Sequence, residues 1–223
     1  MMTAQDFEMR ARYMVETQLR RRGIHDERVL EAMQQVPRHE FVPPELVDAA
    51  YDDRPLLIGE RETISQPYMV AAITQAAHVA PGNRALEIGG GSGYQAAILA
   101  HLGATVCTVE INPRLAEEAR ERLQRLGYTN VEVITGDGSE GLPAHAPYDV
   151  IIVSAAAPTI SPILLGQLAE GGRLAAPVGN REQQELLLMS KHDGRITIRR
   201  LDPCQFVPLL GKGGWRRVEY GEQ

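Results

Sequence analysis

A glycine-rich turn between two short apolar stretches restricts the folds open to this chain more than any other feature. Residues 85–88 are mainly apolar, and glycines follow at positions 89, 90, 91 and 93. A glycine inside a strand or helix costs roughly 0.5–1 kcal/mol, so four glycines in five positions need a local reason. The usual reason is a tight turn whose backbone closely approaches a ligand. The pattern predicts a strand, this turn, and a helix over residues 94–102 that ends at Gly103.

The stretch after this helix indicates the kind of ligand. Residues 105–109 are β-branched and apolar, and Glu110 follows them, 21 positions after Gly89. An acid at the end of the second strand, about 20 residues after the first glycine, is placed to bind the two hydroxyls of a ribose. The dinucleotide fingerprint requires glycine or alanine at its sixth position, where this chain has Tyr94. A ligand that contains a nucleoside is therefore predicted, and a nicotinamide dehydrogenase is disfavoured.

The charge around the turn narrows the ligand further. No basic residue lies in or beside the turn to meet a phosphate, and Glu87 stands at the end of the preceding strand. A carboxylate there repels a pyrophosphate and suits a cationic ligand. The stretch from Glu87 to Gly93 resembles motif I of S-adenosylmethionine-dependent methyltransferases, whose cofactor carries a sulfonium and no phosphate. A turn that merely closes a strand–helix unit is the alternative, and the agreement between the glycines and Glu110 argues against it.

Composition and charge exclude several classes of protein. The 223 residues are 43% hydrophobic and 23% charged, which suits a globular chain with one sizeable core. The net charge of −6 does not suggest binding to nucleic acid or to an anionic membrane. Cys107 and Cys204 are isolated, as is typical of a reducing compartment, and no apolar run approaches 18 residues, so we expect a cytoplasmic protein. No histidine stands at metal-ligand spacing from Cys, Asp or Glu, so no metal is expected.

The rest of the chain alternates between predicted helices and strands. Helices are expected at residues 6–22, 27–35, 45–50, 69–80, 113–126 and 161–169. Further strands are expected at residues 131–135, 149–154, 173–177, 184–191 and 196–206, the last two joined by a hairpin at residues 192–194. This alternation predicts a doubly wound, Rossmann-like α/β sheet. Asp137 follows the third strand at the ligand edge, where it either accepts a bond from an adenine amino group or holds a turn.

We expect one methyltransferase domain in three parts. Residues 1–80 would form helices and a cover over the active site, residues 81–210 the Rossmann-like core, and residues 211–223 a C-terminal tail. The cover is inferred from residues 38–66, a proline-broken stretch that is long for a connection but rich in apolar side chains. Residues 207–223 are glycine-rich and are expected to form a surface tail.

Several stretches together identify a family. They are MVETQLRRRGI (14–24), VPRHEFVP (36–43), AYDDRPLLIG (50–59), TISQPYMVA (63–71), LEIGGGSGYQAAILA (86–100), GDG (136–138) and FVPL (206–209). Through these stretches, nearly the whole chain resembles the protein-L-isoaspartate O-methyltransferases, which repair isomerised aspartate and deamidated asparagine. Motif I is shared with many methyltransferases, whereas the stretch around Ser65 is typical of a much smaller group of proteins. Two departures are Gly90, where threonine or serine is common, and Tyr68, where some members carry histidine.

The resemblance implies a role for each matching residue. Ser65 would be the catalytic residue, although by itself a serine before Gln-Pro is typical of a turn or cap. The residues implied to bind S-adenosylmethionine are Glu87, Gly89, Gly91, Ser92, Glu110 and Asp137. Those implied to bind the main chain of the substrate are Ile64, Gln66, Val207 and Leu209. The partners would be proteins and peptides that contain isoaspartate, and the enzyme is expected to be a monomer.

The implied reaction needs few catalytic groups. A free α-carboxylate has a pKa of about 3–4 and is ionised at neutral pH, so no general base is required. Its oxygen would displace the methyl group from the sulfonium in line, and the resulting ester would close to a succinimide that hydrolyses partly to normal aspartate. Two alternatives stay open, namely a methyltransferase for a small molecule and a binding module that has lost catalysis.

Overall fold

The computed structural model describes residues 2–216, and its central element is a seven-stranded, mostly parallel sheet. A separate hairpin comes first in the chain, β1 (Leu56–Gly59) and β2 (Glu62–Ile64). The strands of the main sheet are β3 (Arg84–Ile88), β4 (Thr105–Glu110), β5 (Val131–Thr135), β6 (Tyr148–Val153), β7 (Leu168–Gly179), β8 (Gln184–His192) and β9 (Arg195–Cys204). Their order across the sheet is β5-β4-β3-β6-β7-β8-β9.

The direction of the strands locates the ligand crevice. Across the sheet from β5 to β7, each strand is parallel to its neighbours. Strand β8 is antiparallel to β7, and β9 is antiparallel to β8. From β3 the chain winds outward to β4 and β5 and then returns to place β6 on the opposite side of β3. In such sheets the crevice lies where the winding reverses, beyond the carboxyl end of the central strand. Here that position is the glycine turn after β3.

In the described part of the chain, six α-helices surround the sheet. They are α1 (Ala4–Met14), α2 (Glu27–Gln35), α3 (Pro67–Ala77), α4 (Tyr94–His101), α5 (Pro113–Arg125) and α6 (Pro162–Gly166). A π turn (Val15–Leu19) and a 3-10 turn (Arg20–Arg22) extend α1 as far as Gly23. Within residues 2–216, none of the helices is long and apolar enough to cross a bilayer.

The two faces of the sheet are covered differently. Side chains alternate between the faces along β6, so that Val150 and Ile152 join one hydrophobic cluster while Ile151 and Val153 join the other. Helices α1 to α5 contribute to the first cluster, and α6 with its adjoining loops contributes to the second. Burial on both faces is typical of parallel strands and confirms the predicted Rossmann-like sheet.

Most predicted boundaries lie within two or three residues of the observed ones, because local signals set them. Asp26 and Asn112 cap α2 and α5 by accepting hydrogen bonds from main-chain amides of the first turn. At the tip of the β8–β9 hairpin, Asp193 and Gly194 have φ angles of 51° and 70°, the left-handed conformation that this turn requires.

Two local predictions were wrong. The stretch 38–66 was expected to hold only a short helix, yet its second half forms the hairpin β1–β2. The helix predicted over residues 161–169 ends at Gly166, because Leu168 already pairs with Tyr148 as the first residue of β7. The pairing of Tyr148 with Leu168 spans 20 positions, so no local signal marks it. Strands β1 and β2 have only four and three residues, too few for a clear pattern in the sequence.

The prediction of a surface tail was also wrong for the residues that the structure describes. Residues 207–210 pack against the sheet, where Leu209 is only 5% exposed. The amide of Leu209 donates to the carbonyl of Ala156, and the amide of Ala156 donates to the carbonyl of Val207. Leu210 forms a bridge with Trp215, so the chain folds back on itself. The last part of the predicted tail, residues 217–223, lies outside the described residues.

Candidate active site

The glycine turn has the conformation that its sequence requires. Gly89, Gly91 and Gly93 have φ angles of 85°, 50° and 85°, which residues with a Cβ atom rarely adopt. The amides of Gly89 and Gly90 donate to the carbonyl of Val109 on β4, so the turn is tied to the neighbouring strand. Gly89 and Gly91 are half-buried, and neither has a side chain that would cover the backbone at the carboxyl end of β3.

Gly90 is required by a neighbour. A Cβ atom at this position would lie 2.5 Å from the hydroxyl Oγ1 of Thr108. That hydroxyl belongs to β4 and is directed beneath the turn, where it donates to Glu87. A threonine or serine at position 90, common in the family according to the sequence resemblance, would here collide with Thr108.

Glu87 is a buried carboxylate at the end of β3. Its side chain accepts hydrogen bonds from Thr108 Oγ1 at 2.7 Å and from Ser154 Oγ at 3.1 Å, and the residue is 1% exposed. Burial raises the pKa of Glu87 to about 8, although the two hydroxyl donors oppose that shift. In the free protein this group therefore keeps its proton at neutral pH, and a cation placed next to it would lower the pKa and favour the ionised carboxylate.

Glu110 holds the opposite side of the turn. Its Oε2 accepts from the amide of Gly91 and its Oε1 from the amide of Asn112, both at 2.8 Å. Each oxygen retains a second lone pair, so the carboxylate can still accept from the hydroxyls of a ribose. The structure places Glu110 where the sequence predicted it, beside the turn and 5% exposed.

Asp137 has partners that the sequence did not indicate. Its Oδ1 accepts from the amide and hydroxyl of Ser139, and its Oδ2 accepts from the amide of Lys212 in the C-terminal segment. The neighbouring Gly138 packs closely against β4, where a Cβ atom would come within 3.0 Å of Val109. The carboxylate thus links the end of β5 to the C-terminal segment, and its bond to an adenine stays a prediction.

Ser65 lies in the short connection between β2 and α3, and Arg38 holds this connection in place. The guanidinium of Arg38 donates through Nε to the carbonyl of Ala50 and through Nη2 to the carbonyl of Ser65, both at 2.7 Å. Arg38 is fully buried and lies over the ring of Tyr94, 4.8 Å from its centroid. Burial lowers the pKa of Arg38, and the nearby ring of Tyr94 opposes that shift.

Sequence reasoning missed the role of Arg38. The stretch VPRHEFVP was noted only as part of the family resemblance, and the arginine is 27 positions from Ser65. A buried arginine without a carboxylate partner has no sequence signature of its own. The structure shows it as the residue that positions the main chain of Ser65.

Three recesses meet at Thr63, and Ser65 lines two of them. The inner recess is lined by Thr63, Ile64, Ser65, Val70, Ile73, Glu87, Gly89, Gly90, Gly91, Ser92, Tyr94, Gln95, Ser154 and Phe206. The edge recess is lined by Glu62, Thr63, Ile88, Gly89, Gly91, Val109, Glu110, Ile111, Gly138, Ser154, Ala155 and residues 207–210. The outer groove is lined by Arg22, Pro55, Thr63, Ser65, Gln66, Tyr68, Met69 and residues 202–207. Thr63, which the sequence did not single out, lines all three.

The sequence-derived site residues are distributed over these recesses. Ser65 lines both the inner recess and the outer groove, and Glu87 and Ser92 line the inner recess. Of the residues assigned to the substrate, Gln66 and Val207 line the outer groove, whereas Ile64 faces the inner recess and Leu209 the edge recess. Asp137 is not among the residues that line any of the three.

Tyr68, one of the two departures from the family pattern, lines the outer groove. Its hydroxyl donates to Asp202 on β9 at 3.1 Å, and the guanidinium of Arg22 lies 3.6 Å from its ring centroid. Helix α3, the sheet edge and the first helical segment are joined by this residue. Arg22 and Asp202 also line the outer groove, so a cation and a carboxylate both border it.

Comparison with known proteins identifies the family. A family model described as protein-L-isoaspartate(D-aspartate) O-methyltransferase matches residues 9–214. The chain belongs to this family. Membership confirms the family and the enzyme class predicted from the sequence.

Individual relatives agree along nearly their whole length. A protein-L-isoaspartate O-methyltransferase of Methanoculleus marisnigri is 55% identical over 203 residues, 91% of this chain and 92% of the relative. One from Roseiflexus sp. is 49% identical over 218 residues, 98% of this chain and 100% of the relative. Among solved structures, a Plasmodium falciparum protein assigned to the same enzyme, in complex with S-adenosyl-L-homocysteine, has a TM-score of 0.78 and 29% identity. That match covers 90% of this chain and 98% of the other.

Proposed function

We propose that this protein-L-isoaspartate O-methyltransferase uses Ser65 to orient the free α-carboxylate of an L-isoaspartyl residue toward a methyl donor in the inner and edge recesses. The donor is S-adenosylmethionine, the cofactor of the family. The observation that carries the proposal is that Ser65 lies at the junction of the inner recess with the outer groove. A donor on one side and a peptide on the other would meet at this residue.

The lining of the recesses suits this cofactor. None of the described residues that line the inner or the edge recess is Lys, Arg or His, so neither recess offers a side-chain cation to a phosphate. Both recesses instead contain a carboxylate, Glu87 in the first and Glu110 in the second. Glu87 would favour the cationic part of the ligand, and Glu110 would accept from its ribose. The open backbone at Gly89 and Gly91 leaves room between them.

When bound, S-adenosylmethionine supplies an electrophilic methyl group on a sulfonium. The acceptor oxygen is already ionised at neutral pH, so the chain has no proton to remove before the transfer. Ser65 would donate a hydrogen bond that aims one carboxylate oxygen at the methyl group, and Arg38 would keep the Ser65 main chain in position. Alignment of two reactants contributes up to ~7–11 kcal/mol in well-oriented cases. The ester product would close to a succinimide and hydrolyse in part to normal aspartate.

The remaining assignments extend the proposal. Gly89, Gly91, Ser92 and Asp137 would complete the cofactor site, and Ile64, Gln66, Val207 and Leu209 would hold the substrate main chain. We place the enzyme in the cytoplasm, acting as a monomer on proteins that contain isoaspartate, without nucleic acid or membrane partners. The net charge of −6 supports the last point. Residues 1–80 would serve as helices and cover of a single domain whose core spans residues 81–210.

The test is methyl transfer to a matched pair of peptides that differ only in L-isoaspartate or L-aspartate at one position. Wild-type protein should attach base-labile label to the isoaspartyl peptide alone. Ser65→Ala should lower kcat by at least tenfold, while the affinity for S-adenosylhomocysteine stays within about twofold of wild type.

A matched control is Ser161→Ala, which removes the cap of α6 and lies outside all three recesses. This variant should keep wild-type turnover. Unchanged turnover in Ser65→Ala would remove Ser65 from the mechanism. Equal labelling of both peptides would overturn the assigned specificity.

A further inference from the structure

A second cluster of reactive side chains lies away from the recesses. Cys107 on β4, Glu132 on β5 and His145 in the turn before β6 bring one ligand atom each to within 4.8 Å of one another. Cys107 and Glu132 are direct partners in the parallel ladder, so their side chains leave the same face of the sheet. Glu87 and Thr108 belong to the opposite face, since faces alternate along a strand. The cluster is therefore separate from the methyl-transfer site.

The distances within the cluster resemble the edges of a tetrahedron around a metal ion. Cys107 Sγ lies 3.3 Å from His145 Nδ1 and 3.7 Å from Glu132 Oε2, and these last two atoms are 3.6 Å apart. Zinc bonds of about 2.3 Å to sulfur and 2.0–2.2 Å to nitrogen and oxygen give tetrahedral edges of about 3.6, 3.6 and 3.4 Å in the same order. Each observed distance agrees with its tetrahedral value to within about 0.3 Å.

Other arrangements fit less well. With the same bond lengths, the right angles of square-planar or octahedral coordination give edges of about 3.1, 3.1 and 2.9 Å. Two of the three observed distances exceed these values by about 0.6 Å or more. Without a metal, the Cys107 thiol lies within hydrogen-bond reach of both Glu132 and His145. The 3.6 Å between His145 and Glu132 is too long for a hydrogen bond, so this third edge is the one that a shared ion would explain.

The surroundings hold the three side chains in place and leave one side open. Arg84 donates from its guanidinium to the main-chain carbonyl of His145, which anchors the turn. Its positive charge opposes a nearby cation, whereas a thiolate and a carboxylate together offset two charges of a divalent ion. The side chains of Glu132 and His145 are 59% and 37% exposed, so water has access to a fourth position.

We propose that Cys107, Glu132 and His145 bind one Zn²⁺ ion per chain, with water as the fourth ligand. A sulfur, a nitrogen and an oxygen donor form a ligand set that zinc accepts. The sulfur coordinates as a thiolate, and its proton passes to the solvent. The sequence did not indicate this site, because its ligands are 25 and 13 residues apart and match no short metal motif.

The test uses Co²⁺ as a spectroscopic probe for zinc, added to the purified full-length chain freed of metal. Wild-type protein should develop a sulfur-to-cobalt charge-transfer band and the intense visible bands of tetrahedral cobalt, saturating at one equivalent. Added Zn²⁺ should remove these bands and raise the midpoint of thermal unfolding. Cys107→Ser should abolish the charge-transfer band, and Glu132→Gln should weaken cobalt binding at least tenfold.

The matched control is Cys204→Ser, which alters the other cysteine of the chain and leaves the cluster intact. It should bind cobalt like the wild type. If Cys107→Ser does not fold, Glu132→Gln decides, because an exposed side chain tolerates this change. A charge-transfer band that is absent in the wild type, that persists in Cys107→Ser, or that is lost in Cys204→Ser would overturn the proposal. Methyl transfer by the metal-free protein serves as the measure of folding.

Discussion

The replacement Glu87→Gln should raise the unfolding free energy of this protein and lower its affinity for the cofactor. In the unfolded chain Glu87 ionises near 4.5, whereas burial raises its pKa in the folded protein to about 8. Between these two values the folded state holds a proton that the unfolded state has released. The stability contributed by this group is therefore complete below pH 4.5 and is lost as the pH rises toward 8.

The size of the effect follows from the shift in pKa. Each pKa unit corresponds to about 1.4 kcal/mol, so the loss reaches about 3 kcal/mol at pH 7 and about 5 kcal/mol well above pH 8. A glutamine carries no charge to bury, and after rotation of the two hydroxyls its amide can pair with both Thr108 and Ser154. We expect Glu87→Gln to exceed the wild type in unfolding free energy by a margin that grows with pH.

Binding should change in the opposite direction. At pH 7 Glu87 of the free protein is mostly protonated, and the cationic part of S-adenosylmethionine favours its ionised form, which a neutral amide cannot adopt. Part of the charged contact is offset by the cost of releasing the proton, so the replacement should weaken binding about tenfold. The assay is urea unfolding of both proteins at several pH values from 5 to 8, together with calorimetric titration of the cofactor at pH 7.

Glu121→Gln is the matched control, because it removes the same charge from an exposed position on α5. Its unfolding free energy should differ from the wild type by less than about 0.5 kcal/mol at every pH. The reasoning fails if Glu87→Gln destabilises the protein at pH 7, or if its effect on stability does not vary with pH. Unchanged cofactor affinity would instead refute the role of Glu87 in binding.

Two further predictions concern the framework of the site. Gly90→Ser should destabilise the protein by about 1–3 kcal/mol because its Cβ atom meets Thr108, and the double variant with Thr108→Ala should recover most of that loss in thermal unfolding. Additive effects of the two changes would contradict the collision. Arg38→Lys should lower kcat for the isoaspartyl peptide at least tenfold with little change in cofactor affinity, because an ammonium cannot reach the carbonyls of Ala50 and Ser65 together. The exposed Arg12→Lys is its control, and equal turnover in both would show that Arg38 does not position Ser65.

Features set by neighbouring residues could be predicted from the sequence. Asp26 caps the second helix, Gly194 completes the hairpin, and the glycines after β3 adopt positive φ angles. Each depends on the conformational preferences of one to four adjacent residues, which any tertiary context must respect. The family also followed from the sequence, because its most specific motif is a continuous stretch of nine residues that includes Ser65.

Other features were decided only by the tertiary structure. Arg38 reaches Ser65 across 27 positions, Lys212 reaches Asp137 across 75, and Cys107 meets His145 across 38. No local preference encodes such contacts, since they arise when strands and loops from separate parts of the chain pack together. The sequence by itself determined the sheet, the glycine turn and the chemistry of the family. Tertiary packing decided which side chains hold that chemistry in place, because burial and long-range hydrogen bonds exist only after the chain has folded.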